Sequence, residues 1–455
     1  MIGRSSQREF DGWFVEPAPY PVRSGNSVRP LIDGEPAFLR VCEVIEAARF
    51  SVWATVTFLW DDFELPGGHG SFFDLLDRAA RRGLDVRVIF WRPGEQWAQL
   101  RKNAFWGSAR HLAQLGAAGS RILVRWDRSP SGFCQHQKTW LVDAGHDEAV
   151  GVVGGINLNP HSVVAPGHNG QGHNHDVYVE VAGPSTMDIH DNFVQRWNNA
   201  SERGRSDGLW GAAAAASSPA ALTEPCPRGT SVVQIQRTMP NDDGGEGSAD
   251  LGGPPAEATI FEQYQAAIAA AQHSIYIENQ ALDVPVILDC LREAAERNVD
   301  VVVVLPGEPE AGRHQQKTWL HDFAALAAHE NVTLAGLSGT GAGGERHGVY
   351  VHSKLMLIDD QWATIGSANL HAASLFRNAE LNASWWDPVV VRQLRCQLFA
   401  EHLGETTAHL GAAAAHRRFG QLARENQVRW AAGEAGSGLA FWLDPATYAR
   451  RRFAG

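Results

Sequence analysis

Two short stretches of this chain place a histidine, a lysine and an aspartate at one spacing. His136-Gln-Lys138-Thr-Trp-Leu-Val-Asp143 and His352-Ser-Lys354-Leu-Met-Leu-Ile-Asp359 both read H-x-K-x4-D, and they lie 216 residues apart. Only four of the 39 basic residues are lysines (Lys102, Lys138, Lys317 and Lys354), so a lysine that recurs in a patterned position is a strong signal. Each stretch is followed by a glycine turn ending in asparagine, Gly154-Gly-Ile-Asn157 and Gly366-Ser-Ala-Asn369. In a strand, residues i and i+2 project to one face, so each His and Lys should emerge together. Two ammonium groups and two side-chain amides suit an anion such as a phosphodiester. They would offset charge developing on phosphoryl oxygens, which a metal ion does in other sites. Two imidazoles supply a nucleophile and a general acid. Each copy provides one, so a single site is expected on a pseudo-twofold axis.

A catalytic imidazole needs a partner that fixes its tautomer. Asp176, in His175-Asp-Val-Tyr-Val179, and Glu380, in Asn378-Ala-Glu-Leu-Asn382, open strands after the two asparagine turns and are the candidates. Asp143 and Asp359 stand five residues beyond their lysines, on the opposite strand face, and are read as structural. Burying Glu278, Asn279 and Gln280 without partners would be costly, so their strand end should face the site, with Gln280 a substrate-binding candidate. Gly155 and Ser367, at equivalent places in the two turns, are the other substrate-binding candidates. His161, His168, His173 and His175 lie in a long Asn/Gly-rich loop. Their spacing is loose for a metal motif, so the loop is read as a solvated active-site loop. No metal and no cofactor are expected. His314-Gln-Gln-Lys317 carries one residue too many to put its His and Lys on one strand face and is read as a decoy on a helix. Trp60, Trp91, Trp97 and Trp106 follow strand ends and are candidates for a lipid-facing rim.

The elements that position these residues come in two copies. Helix-type spacing at Phe38, Val41, Val44 and Ile45 precedes a buried strand over Ser51 to Phe58; a helix from Phe72 to Arg82 leads into a strand over Leu84 to Phe90. The same order returns as a helix from Ile260 to Ala271, a strand over His273 to Gln280, a helix from Val286 to Arg297 and a strand over Val299 to Leu305. Self-similarity at one long offset, near 215 residues, means a duplicated domain and not a solenoid. The fold class is α/β: two duplicated sandwich units, each a mixed sheet flanked by helices, forming one pseudo-twofold fold. Residues 1–200 form the first half, 201–258 a linker and mobile loop, 259–404 the second half and 405–455 a C-terminal extension.

The chain has 455 residues, enough for two or three domains, and a formal charge of −12. That charge argues against a protein that follows a nucleic-acid backbone through a basic stripe. No run of apolar residues is long enough to span a membrane, and no signal peptide is apparent. Five widely spaced cysteines without a CxxC are read as reduced thiols of a cytoplasmic protein.

With these residues in place, the sequence resembles the phospholipase D superfamily, and bacterial and eukaryotic-type phospholipases D within it. The similarity covers roughly residues 28–404. Besides the two motifs it includes Ser274-Ile-Tyr-Ile-Glu-Asn-Gln280, Asn192-Phe-Val-Gln-Arg-Trp-Asn198, Val233-Gln-Ile-Gln-Arg-Thr238 and Leu394-Arg-Cys-Gln-Leu-Phe-Ala-Glu-His-Leu-Gly404. The resemblance implies that His136 becomes a phosphohistidine and that His352 protonates the leaving alcohol and then activates water. It departs from the pattern at Gly155, which lacks the hydroxyl of Ser367. The expected activity is metal-independent hydrolysis of phospholipid headgroup esters, with transfer to alcohols as a side reaction. A phosphatidyl-transferring synthase comes second, a nuclease third, and a non-catalytic binding protein last. The expected partners are a phospholipid or other phosphodiester substrate and, transiently, a membrane surface. No nucleic acid is expected, and the protein is read as a monomer, cytoplasmic or peripheral at the membrane.

Overall fold

The computed structural model describes residues 12–93, 118–128, 133–169, 174–200, 224–240, 255–307, 323–341 and 346–445, with Phe10, Ala113, Leu115, Gly116 and Tyr448 as isolated positions. Most of the expected linker (201–223 and 241–254), His173, Trp97, Trp106 and the His314–Lys317 decoy lie outside these residues.

Two mixed sheets carry the fold, and their strands follow the same order. In the first half the order runs Arg23–Ile32, Val177–Ala182, Val150–Gly154, Thr139–Val142, Ser51–Val56, Asp85–Arg92, Leu123–Arg128. In the second it runs Ser231–Met239, Glu380–Trp386, Trp362–Gly366, Leu355–Ile358, Ser274–Glu278, Asp300–Val304, Val332–Thr340. In each copy the last three strands are parallel and the others antiparallel, so the duplication read from sequence extends to strand direction. Arg23–Ile32 also pairs with Ser231–Met239, which joins the two sheets edge to edge.

The Val, Ile and Leu runs of the central strands are apolar on both faces because both faces are covered. Ile275, Ile277, Val301 and Val303 pack under the helices Thr259–Ala270 and Pro285–Glu296, whereas Tyr276, Val302 and Val304 face the core shared by the two halves. That shared core also takes Leu141, Val153 and Val179 from the first half and Leu355, Ile365 and Leu381 from the second. Helices Gly34–Ala47 and Phe72–Arg81 cover the outer face of the first sheet. Local signals set the helix ends. Ser71 and Asp74 form a reciprocal capping box at one start, and Asp387 caps Pro388–Leu403, which Gly404 ends in a left-handed conformation. The C-terminal helix spans Ala412–Ala431.

Four expectations change. Ser231–Met239, inside the expected linker 201–258, is a buried strand of the second sheet, so the second half begins before residue 259. His136 to Lys138 and His352 to Lys354 are not strand residues; the strands begin at Thr139 and Leu355. The histidine loop is not uniformly solvated: among its described histidines, His168 and His175 are fully buried and His161 is exposed. Trp91 belongs to no lipid-facing rim, because it is buried against Phe58.

Candidate active site

The two motif strands run into the core through Trp140-Leu-Val142 and Leu355-Met-Leu-Ile358, all buried, and this fixes where their polar starts must emerge. The aspartates at the far ends do a separate job. Asp143 accepts hydrogen bonds from the backbone N–H of Arg49, Phe50 and Ser51, and Asp359 from those of Gln272, His273 and Ser274. Each carboxylate thus satisfies the backbone where the neighbouring strand begins.

At the other end the halves exchange partners. The backbone N–H of His136 donates to the carbonyl of Ala379, and that of His352 to the carbonyl of His175, both at 2.8 Å. Ala379 and His175 each precede a carboxylate residue. The second half therefore delivers Glu380 to His136, with Nδ1 and Oε2 2.9 Å apart. The first half delivers Asp176 to His352, with Nδ1 and Oδ2 2.5 Å apart. A carboxylate on Nδ1 holds the proton there and leaves the Nε2 lone pair pointing outward. Asn157 Nδ2 lies 3.5 Å from His352 Nε2, on that outward side. Asn369 is buried, and neither Asn157 Oδ1 nor Asn369 Oδ1 has a partner among the described residues.

The lysines curl back on their own motifs. Lys138 Nζ donates to the His136 carbonyl at 2.8 Å, and Lys354 Nζ to the His352 carbonyl and, at 3.5 Å, to Gln280 Oε1. Burial holds His136 below the usual imidazole range and lowers Lys138 to about 8. It also takes His352 down to about 4, with Lys354 adding to the effect and Asp176 opposing it. Burial alone would raise the Glu380 carboxyl, but His136, Lys138 and the Ser367 hydroxyl hold it below its ordinary value. Each imidazole feels both ammonium charges, so the four groups form one electrostatic cluster.

The three substrate-binding candidates differ in their surroundings. Ser367 is fully buried and its hydroxyl donates to Glu380 Oε2 at 2.6 Å, so it orients the carboxylate and does not face a substrate. Gly155 is a spacer: a Cβ there would lie 2.7 Å from Asp176 Oδ1 and 2.9 Å from Lys354 Cδ. Gln280 donates to the Tyr350 hydroxyl at 2.6 Å while receiving Lys354. The residue between His and Lys in each motif also matters and escaped the sequence reading. Gln137 exchanges amide hydrogen bonds with Asn192 and donates to the Glu380 carbonyl, and Ser353 donates to Glu278 Oε2 at 2.7 Å. The signal for Asn192 was available in the segment Asn192–Asn198, and for Glu278 in Ser274–Gln280.

Residues 264–402 match the family described as "Cardiolipin synthase, PLD-like domain". This match, with cardiolipin synthases and a phospholipase D among the relatives, indicates the phospholipase D superfamily. Cardiolipin synthase 1 of Staphylococcus epidermidis is 24% identical over 380 residues, which cover 81% of this chain and 66% of that protein. Phospholipase D A of Dictyostelium discoideum is 24% identical over 488 residues, covering 85% of this chain and 36% of that one. The chain thus spans just under two thirds of the length of the first of these relatives and little more than a third of the second. Among solved structures, phosphatidylserine synthase of Haemophilus influenzae Rd KW20 shares the fold at a TM-score of 0.55 and 13% identity, over 87% of this chain and 89% of that one.

Proposed function

We propose that the protein is a phosphatidyltransferase: it opens a phospholipid phosphodiester through a phosphohistidine and passes the phosphatidyl group to an alcohol. The supporting observation is the pair of buried imidazoles, each tied at Nδ1 to a carboxylate from the opposite half and flanked by two ammonium groups. In this mechanism His136 Nε2 attacks phosphorus and the P–O bond to the first alcohol breaks. Protonated His352 gives its proton to that oxygen. The arriving phosphodiester is itself an anion beside His352, which favours the imidazolium there. In the second step neutral His352 takes the proton of the incoming alcohol, whose oxygen displaces His136 from phosphorus. Lys138, Lys354, Asn157 and Asn369 hold the non-bridging oxygens throughout.

Hydrolysis ranked first on sequence alone; the cardiolipin synthase relatives favour transfer, and the order is reversed here. No helix among the described residues is long and apolar enough to cross a membrane. That does not weigh against a synthase, because the match covers only part of those relatives. Hydrolysis is retained as the second reading on the likeness to a phospholipase D. The membrane surface enters as the place where the lipid is presented.

The test is a product analysis by lipid mass spectrometry. Vesicles of phosphatidylglycerol and of phosphatidylcholine, a bis-ester dye and single-stranded DNA are incubated in parallel with the protein. Two phosphatidyl groups joined through glycerol, or a glycerol-exchanged lipid, support transfer. Phosphatidate alone moves the reading to hydrolysis. Cleavage of DNA with no change in lipid would overturn both.

A further inference from the structure

Next to the backbone of His352, which donates to the His175 carbonyl, four side chains converge that the proposed chemistry does not use. Asp33 and His168 come from loops of the first half, His175 from the segment before Asp176, and Glu401 from the helix Pro388–Leu403 of the second half. Asp33, His168 and His175 are fully buried, and the Glu401 side chain is 7% exposed. We propose that Asp33, His168, His175 and Glu401 bind one divalent transition-metal ion, zinc being the best match, which clamps the two halves together next to His352.

The donor geometry carries the assignment. His175 Nδ1 lies 3.0 Å from Asp33 Oδ1, and His168 Nε2 lies 3.4 Å from both. Glu401 Oε1 lies 3.6 Å from His168 Nε2. A tetrahedral zinc site with bonds of about 2.0–2.1 Å places its donors about 3.3–3.4 Å apart. The four separations, from 3.0 to 3.6 Å, are close to four of the six edges of such a tetrahedron, and all four donors lie within 4.8 Å of one another. Two imidazoles and two carboxylates suit a borderline ion better than calcium or magnesium, which take oxygen ligands.

Two further observations point to a ligand. Asp33 Oδ2 and Glu401 Oε2, the second oxygens of the two carboxylates, are buried with no hydrogen-bond partner among the described residues, a costly state that a cation held beside the carboxylates would offset. The far nitrogen of His175 is also set up for ligation: Nε2 lies 2.9 Å from Glu278 Oε2, and Glu278 receives the hydroxyls of Tyr276 and Ser353. A carboxylate behind a ligating imidazole fixes its tautomer and strengthens it as a donor. The site has no twin, because Ala379 stands where His175 would have its counterpart beside His136. It is tied to the chemistry through the backbone. The His175 carbonyl accepts from His352 and Ser353, and the Asp33 N–H donates to the Asp176 carbonyl.

The experiment measures metal and stability, so its outcome is independent of which reaction the enzyme performs. The full chain is purified, dialysed against a chelator and analysed by plasma mass spectrometry. About one zinc per chain is expected in the wild type. His168→Gln and Glu401→Gln should each weaken zinc binding by about 10–100-fold, whereas His161→Gln, on an exposed histidine, should bind as the wild type does. Metal-stripped wild type should regain its Tm when zinc is returned, and less so with manganese or calcium. Cobalt(II) in the wild type should give the intense visible bands of a tetrahedral site, a readout that stands even if the variants fail to fold. Equal zinc in wild type and all folded variants would mean adventitious surface binding and overturn the proposal. So would a wild type that holds no metal and whose Tm responds to none of the three ions; the cluster would then be an imidazolium held between Asp33 and Glu278.

Discussion

Tied at Nδ1 to a carboxylate, each imidazole presents Nε2 outward, His136 as the proposed nucleophile and His352 as the proposed carrier of the proton. On that ground His136→Ala and His352→Ala should each lower turnover of a soluble phosphodiester by about 10³-fold or more. The double variant should be little worse than either single one, because both residues serve one pathway. Turnover near the wild-type level in one single variant would remove that residue from the mechanism. The charges give a pH profile with a definite sign. Burial lowers His136, so the nucleophile stays neutral to lower pH than an ordinary histidine, and the acid limb of kcat/KM should lie below the ordinary histidine value. Lys138 sits at about 8, so its ammonium is present below that pH and lost above it. The alkaline limb should therefore turn near pH 8, well below the ordinary lysine value. Lys138→Arg keeps the charge, so it should lose that limb. It should also have a lower kcat, because the planar fork does not reproduce a compact ammonium aimed at the His136 carbonyl.

At the scale of elements, the two copies share a frame and differ in detail, and substitutions should separate frame from detail. Asp143→Ala or Asp359→Ala removes the acceptor of three backbone N–H groups at a strand start and should cost about 2–4 kcal/mol in urea unfolding. A loss of turnover without a loss of stability would instead put the aspartate in the chemistry. Gly155→Ser should not restore symmetry with Ser367. The new Cβ would press on Asp176 and Lys354, so kcat should fall by about tenfold or more, while Ser367→Gly should cost less because Glu380 keeps His136. These elements also mark how far the sequence could be read. The duplication and the strands Thr139–Val142 and Leu355–Ile358 were legible because each rests on local spacing. The pairing of Glu380 with His136 and of Asp176 with His352 was not, because each joins residues in different halves and no periodicity records which halves cross. The burial of His168 and His175 was hidden for the same reason: an Asn/Gly-rich loop reads as solvated until Glu401 and Asp33 are seen to close over it.

On the scale of the whole molecule, both motifs lie in one chain, and a covalent intermediate would be opened to whichever alcohol reaches His352. Adding ethanol to a phospholipid assay should yield phosphatidylethanol while release of the first alcohol stays roughly constant, since formation of the phosphohistidine is common to both outcomes. Configuration at phosphorus should be retained, because two in-line displacements invert it twice. Inversion with a stereolabelled substrate would rule out the intermediate. Retention without ethanol transfer would keep it and restrict the acceptor to water or to a larger alcohol. The crossed backbone bonds, His136 to Ala379 and His352 to His175, carry a further consequence. Were the halves separate and identical, every substitution would be written into both places at once, and the two imidazoles would have to remain interchangeable. Fusion into one polypeptide breaks that symmetry. One histidine can then keep a glutamate braced by serine, and the other an aspartate with a buried cluster at its back. Attack and proton delivery can thus be tuned separately by mutations that alter only one of them.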